Sequence, residues 1–222
     1  MIKAVLWDMD GVLVDSERLV RDIFVELMSD ADYMDDPEAV FMQSIGLNTN
    51  SILSLYETYM PSRKEAEFYY YRIGDIYRER IGSDLQLKPG VTGALDAVAA
   101  LNLPQMVVTS SRQDVTRAKL DQFSLLPYFE DLICGDQVSQ GKPHPEPYLT
   151  ACERLGVEPA HALIIEDSPN GVKAGLSAGS MVIHVPDLIE TNPQWQDELL
   201  DALDSLESFP EWLNRRLEGS WL

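Results

Sequence analysis

Cysteine is nearly absent from this chain: Cys134 and Cys152 are the only two among 222 residues. Two thiols cannot build the disulfide framework of a small secreted domain, and one such pair does not make a cysteine zinc site. They read as buried free thiols of a reducing compartment, so the expected location is the cytoplasm. Long apolar runs are missing as well. No stretch approaches the roughly 20 residues that a membrane helix needs. The opening Met-Ile-Lys-Ala-Val-Leu-Trp-Asp lacks a long apolar core with a small-residue cleavage site, so no signal peptide is expected. Positive charge is scarce, with 17 Lys and Arg against 37 Asp and Glu and a net charge of −20. The sequence pI is about 4.3. Nucleic acids and anionic membranes are therefore not expected as partners, because phosphate-rich surfaces are bound by clustered Lys and Arg. A small phosphorylated metabolite remains compatible, since a bound cation and one well-placed Lys make a locally positive pocket on an acidic protein. The surplus acid reads as solvated surface. The expected oligomeric state is a monomer.

Hydrophobic residues make up 45% of the chain, enough for one α/β domain and a smaller insert. Residues 2–8 read as a buried strand, because Ala4-Val5-Leu6-Trp7 is continuously apolar. From Ser16 the apolar spacing becomes helical, with Leu19, Ile23, Phe24, Leu27 and Met28 on one face. Helical patterning then runs to about Gly82. Asp36-Pro37 reads as a helix start, residues 48–60 as a second helix, and residues 62–81 as a longer one opened by Ser62 and Glu65 in capping-box spacing. The run Tyr69-Tyr70-Tyr71 and Tyr77 is expected to pack between helices, the alternative being stacking on a ligand. After Lys88-Pro89-Gly90, strands at 105–109, 132–134, 162–165 and 181–185 alternate with helices at 91–101, 113–123, 146–155 and 170–178. The tail from about Gln194 reads as helical, with Trp212 and Leu213 docked on the core. The expected fold is α/β: a doubly wound, Rossmann-like parallel-sheet core of residues 1–15 and 88–222, with a small helical domain of residues 16–87 inserted after the first strand.

In such sheets chemistry sits beyond the carboxyl ends of the strands. The first strand ends in Asp8-Met9-Asp10-Gly11. There Asp8 suits a nucleophile toward phosphorus and an oxygen ligand for Mg²⁺, and Asp10 suits a general acid and base. The alternative is an ordinary Asp-Gly turn. The second core strand ends in Thr109, whose hydroxyl suits a phosphate oxygen beside the next helix N-terminus; the alternative is plain helix capping. Lys142, in Gly-Lys-Pro-His-Pro, offers an ammonium to offset phosphate charge, or is a solvated loop lysine. The strand 162–165 ends in Glu166-Asp167, adjacent acids that are costly after an apolar strand unless paired or on a metal. One chemistry uses all of these together: attack by Asp8 on a phosphate, with Mg²⁺ and Lys142 offsetting charge.

These segments resemble the four motifs of the haloacid-dehalogenase-like superfamily. The first is Asp8-Met9-Asp10-Gly11-Val12-Leu13-Val14-Asp15-Ser16; Thr109, Lys142 and Glu166-Asp167 match the second to fourth. The helical insert is similar to the family's C1 cap, near the β-phosphoglucomutase and sugar-phosphate phosphatase subgroup. The resemblance implies an aspartyl-phosphate on Asp8 and acid–base action by Asp10. It implies Mg²⁺ held by the Asp8 side chain, the Asp10 main-chain carbonyl and Asp167, with Glu166 in support. It assigns the phosphoryl group to Thr109, the Ser110 amide and Lys142.

Family dehalogenases and phosphonoacetaldehyde hydrolases lack an acid at the place of Asp10, which leaves a phosphatase or a phosphomutase. The subgroup's mutases carry His where this chain has Val20, and an Arg after the substrate-loop glycine. Here Gly46 is followed by Leu47-Asn48-Thr49. Gly46, Asn48 and Thr49 are thus candidate contacts to a polar leaving group, or a helix cap; Arg112 is a candidate contact or a solvated side chain. The expected activity is hydrolysis of a small phosphate monoester, such as a sugar or polyol phosphate. A receiver-type phosphoacceptor domain, the remaining alternative, is about half this length and lacks the insert.

Overall fold

Four consecutive apolar residues, Ala4–Trp7, form β1 and are buried throughout. A strand with no polar face must lie between other strands and under helices on both sides. The computed structural model, which describes residues 1–45, 47–195 and 197–218, places it so. β1 pairs in parallel with β2 (Gln105–Val108) on one edge and β4 (Ala162–Glu166) on the other. With β3 (Asp131–Ile133), β5 (Met181–His184) and β6 (Asp201–Ala202) the order of the six-stranded sheet is β3-β2-β1-β4-β5-β6. Every pairing is parallel. The expected α/β, doubly wound sheet is therefore what the chain forms.

Two compact units make up the molecule: Met1–Val14 with Leu87–Leu222, and Asp15–Gln86. The second contains α1 (Ser16–Ala31), α2 (Pro37–Ser44), α3 (Thr49–Glu57) and α4 (Arg63–Asp84). Its helix starts are written in the sequence. The side chains of Asp36, Asn48 and Ser62 accept the amides of Ala39, Ser51 and Glu65. Its core includes Leu19, Ile23 and Met28 of α1. Phe24 of the same helix meets Phe41 and Tyr56 with ring centroids 5.7 and 5.2 Å apart. The tyrosine run meets expectation in part: Tyr69 packs edge-to-face on Tyr33, 5.7 Å between centroids, but Tyr71 does not follow it. Tyr71 is 64% exposed, and Tyr70 and Tyr71 border a cavity of about 490 Å³ within this unit, together with Val20, Phe41, Leu47 and Tyr56. Ile73 and Ile76 fill the buried positions of α4 instead, because three successive ring side chains cannot share one helical stripe.

In the first unit, α5 (Val91–Ala100) precedes β2. Three helices make the parallel crossovers: α6 (Gln113–Gln122) between β2 and β3, α7 (Glu146–Leu155) between β3 and β4, and α8 (Pro169–Ser177) between β4 and β5. The tail corrects the expectation of continuous helix from Gln194. Asp201–Ala202 joins the sheet edge as β6, in register with Ile183 and His184, and the last helix, α9 (Phe209–Glu218), begins only at Phe209. Trp212 and Leu213 are buried as expected. Phe209 adds an edge-to-face contact with Trp7, 5.3 Å between centroids.

Candidate active site

Register decides which side chains meet. Trp7 lies opposite Val107 of β2 and Ile165 of β4, so the residues that follow these three strands emerge side by side at one end of the sheet. The strand order reverses between β1 and β4, the place where open parallel sheets form a crevice. Asp8 enters it with its amide bonded to the Ile165 carbonyl at 3.0 Å. The chain then turns at Gly11, with φ at +89°. A side chain there would be strained, and a Cβ would overlap the Asp167 carboxylate. The Asp-Gly turn is therefore what lets the fourth-strand acid come up against the first-strand loop.

Three acids converge: oxygens of Asp8, Glu166 and Asp167 lie within 4.8 Å of one another. Lys142 sits among them, 4% exposed. Its ammonium donates to Asp8 Oδ1 at 2.5 Å, Glu166 Oε1 at 2.6 Å and the Val108 carbonyl at 2.9 Å. Those three bonds use the donor capacity of an ammonium, and the Tyr148 ring lies 4.9 Å away. Glu166 is fully buried and well supplied with donors. Oε1 also accepts the Tyr148 hydroxyl at 2.9 Å, and Oε2 accepts the amides of Asp167 and Ser168 and the Ser168 hydroxyl, each at 3.0 Å. The Asp167 carbonyl is held from behind by His184 Nε2 at 2.8 Å, and that ring's Nδ1 meets Thr191 Oγ1 at 2.7 Å.

Charge does not balance here. Burial pushes the Asp8 carboxyl up, to about 8; Lys142 opposes this and Glu166 adds to it. Burial also lifts Asp167 well above the ordinary carboxylate range, reinforced by Glu166, Asp8 and Asp187. Burial acts on Glu166 in the same sense, but Lys142 and the backbone donors outweigh it and leave that acid below its usual value. Fully ionised, three carboxylates against one ammonium would leave two negative charges uncompensated, which is why two of the acids are held up, and Asp167 Oδ1 is buried with no hydrogen-bond partner. An orphaned carboxylate oxygen in an all-oxygen pocket, doubly negative once its acids ionise, fits a hard divalent cation.

Thr109 is buried, and its Oγ1 accepts the Ser111 amide at 3.0 Å. Ser110 is exposed beside it. Asp10 stands a little apart from the three clustered acids. Its Oδ2 accepts the Ser111 hydroxyl at 2.7 Å, and its Oδ1 pairs with the Lys119 ammonium. Ser111, Lys119 and Tyr148 were not singled out in the sequence as site residues, whereas His184, beside its strand, reads as structural and is found holding the Asp167 carbonyl. Lys119 alone left a signal: with Thr116 and Leu120 it falls on the buried stripe of α6.

The remaining candidates are more ordinary. Arg112 is exposed and paired only loosely with Asp114, at 3.4 Å. Asn48 caps α3, and Thr49 Oγ1 meets the Tyr70 hydroxyl at 3.1 Å. Gly46 lies outside the described residues.

Comparison with known proteins agrees with this arrangement. The sequence profile of haloacid dehalogenase-like hydrolases matches residues 5–185. A phosphorylated carbohydrates phosphatase of Thermotoga maritima is 32% identical over 180 residues, 80% of this chain and 82% of that one. A Drosophila melanogaster protein assigned as a pseudouridine-5'-phosphatase is 35% identical over 190 residues, 82% of this chain and 80% of its own. Among solved structures, a Thermotoga maritima protein assigned as a β-phosphoglucomutase superposes with a TM-score of 0.80 at 27% identity, over 96% of this chain and 99% of that one. On its sequence, its strand order and the acids at its strand ends, the chain belongs to the haloacid dehalogenase-like hydrolases.

Proposed function

We propose that this chain is a Mg²⁺-dependent phosphatase that hydrolyses a small phosphate monoester through an aspartyl-phosphate on Asp8. The observation that carries the reading is the buried group of Asp8, Glu166 and Asp167 around a single ammonium, with Asp167 Oδ1 left without a partner. Asp8, Asp167 and the Asp10 main-chain carbonyl would hold the cation, with Glu166 in support. When bound, it supplies positive charge that neutralises the phosphate and its developing negative oxygens. Asp8 attacks phosphorus, the ester P–O bond breaks, and Asp10 gives its proton to the departing alcohol. Water then attacks phosphorus, the bond to Asp8 breaks, Asp10 takes the water's proton, and inorganic phosphate leaves. Thr109 and the Ser110 amide orient the phosphoryl oxygens, and the Lys142 ammonium beside them offsets their charge.

A relative named for phosphorylated carbohydrates supports a sugar or polyol phosphate as the substrate class. The unit Asp15–Gln86 is read as the cap that selects among substrates, with Gly46, Asn48, Thr49 and Arg112 as candidate contacts. Val20, where the mutases carry His, supports hydrolysis over phosphate transfer between sugar positions. A monomer in the cytoplasm is the accompanying expectation. Among the described residues no helix is long and apolar enough to cross a membrane.

The covalent step is tested by acid-quenching turnover and reducing the acyl phosphate with borohydride. The reading expects the peptide containing Asp8 to carry homoserine at that position. Label on another residue, or none under turnover that is blocked at phosphoenzyme hydrolysis, would contradict it.

A further inference from the structure

A lysine whose side chain is only 4% exposed needs a reason to be where it is. A buried ammonium is costly unless it meets an opposite charge with good geometry. Lys119 lies on the inner face of α6, beside Thr116 and Leu120, and its ammonium meets Asp10 Oδ1. The other carboxylate oxygen, Oδ2, accepts the Ser111 hydroxyl at 2.7 Å. Ser111 is itself fixed by backbone bonds on both sides: its amide donates to Thr109 Oγ1 at 3.0 Å and its carbonyl accepts the Gly135 amide at 2.9 Å. A carboxylate gripped at both oxygens has one orientation, whereas a free one rotates about its Cβ–Cγ bond. Asp10 does not join the three clustered acids in this arrangement.

We propose that Lys119 and Ser111 are positioning residues that aim the Asp10 carboxylate for hydrolysis of the phosphoenzyme. The proposal rests on the reading of Asp10 as the group that takes the proton from water. In that step the water oxygen bonds to phosphorus, the bond from phosphorus to Asp8 breaks, and the water's proton passes to Asp10. Asp8 regains its carboxylate. A base aimed wrongly slows this step, because general-base catalysis depends on hydrogen-bond geometry to the water. The earlier transfer to Asp8 from p-nitrophenyl phosphate is affected little, since p-nitrophenolate leaves without needing a proton.

Rapid mixing of the Mg²⁺-loaded enzyme with p-nitrophenyl phosphate separates the two steps. Lys119→Met should release a full equivalent of p-nitrophenolate in a burst and then turn over at least ~10-fold more slowly than wild type. Asp10→Asn should show the same split, and adding Lys119→Met to it should slow turnover no further. Burst and steady rate falling together in Lys119→Met would mark a purely structural role and overturn the proposal, as would unchanged turnover. If Asp10→Asn itself shows no split, the reading of Asp10 fails, and the proposal with it. If Asp10→Asn shows the split and Lys119→Met does not, only the positioning role fails. Should Lys119→Met not fold, Ser111→Ala carries the comparison and must show the burst with slowed turnover; an unchanged steady rate then overturns the proposal.

Discussion

Asp167 separates what the fold needs from what a metal would supply. Its carboxyl is held well above the ordinary range, first by burial and then by Glu166 and Asp8. A group whose folded-state pKa is raised favours the fold fully only below its unfolded value of about 3.8, and that contribution is lost as pH rises through the raised value. Near neutral pH the metal-free protein therefore carries Asp167 as a liability. Asp167→Asn should raise the melting temperature of the metal-free protein, by an amount corresponding to about 1–3 kcal/mol. Mg²⁺ should stabilise wild type and leave the variant nearly unmoved. Calorimetry with and without EDTA checks both. An undiminished Mg²⁺ shift in Asp167→Asn would remove this residue from the site. Asp8, Glu166 and Asp167 were legible because acids ending apolar strands are conspicuous. Lys119 was not, since a helical lysine is ordinarily read as solvated; only its spacing from Thr116 and Leu120 betrays its burial.

At the scale of elements, the turn after β1 and the last helix make opposite demands. Gly11 combines a positive φ with a Cβ position already filled by the Asp167 carboxylate. Gly11→Ala should destabilise the protein by roughly 1–3 kcal/mol and weaken its response to Mg²⁺ as well, because the two loops must move apart. A variant with wild-type melting and Mg²⁺ response would show that the loops accommodate the methyl. Helix α9 is expected to act on the fold alone. Phe209 is fully buried against Trp7, so Phe209→Ala should cost about 3–5 kcal/mol in urea denaturation. Activity per folded molecule should be retained, and a loss of turnover without loss of stability would contradict that. The helix was legible in part. Trp212 and Leu213 pointed to docking, but β6 is two exposed residues on an edge, too short for any alternation to register. Within the tyrosine run, Tyr71 was misread for a related reason, whereas Tyr69 packs on Tyr33 as expected. Aromatic bulk suggests packing, while helical geometry sends neighbouring residues to different faces.

For the whole molecule, periodicity switching between continuous apolar strands and amphipathic helices was enough to give the α/β class, and the long strandless stretch gave the helical unit. What sequence leaves open is the selection proposed for that unit, because the lining of its cavity depends on which helical faces meet. Charge is the other global property. A net −20 opposes compaction through self-repulsion. Raising monovalent salt shortens the Debye length from about 10 Å at 0.1 M to 3 Å at 1 M, so the melting temperature should rise with KCl. A fall across that range would mean that local ion pairs outweigh the overall repulsion. The central claim is phosphoryl transfer to Asp8. Its most direct test is phosphate release from a panel of sugar, polyol and nucleotide monophosphates, by wild type and by Asp8→Asn, with Mg²⁺ and with EDTA. The account predicts Mg²⁺-dependent release by wild type, falling at least ~10³-fold in Asp8→Asn; release that persists in the variant, or that ignores EDTA, would contradict it.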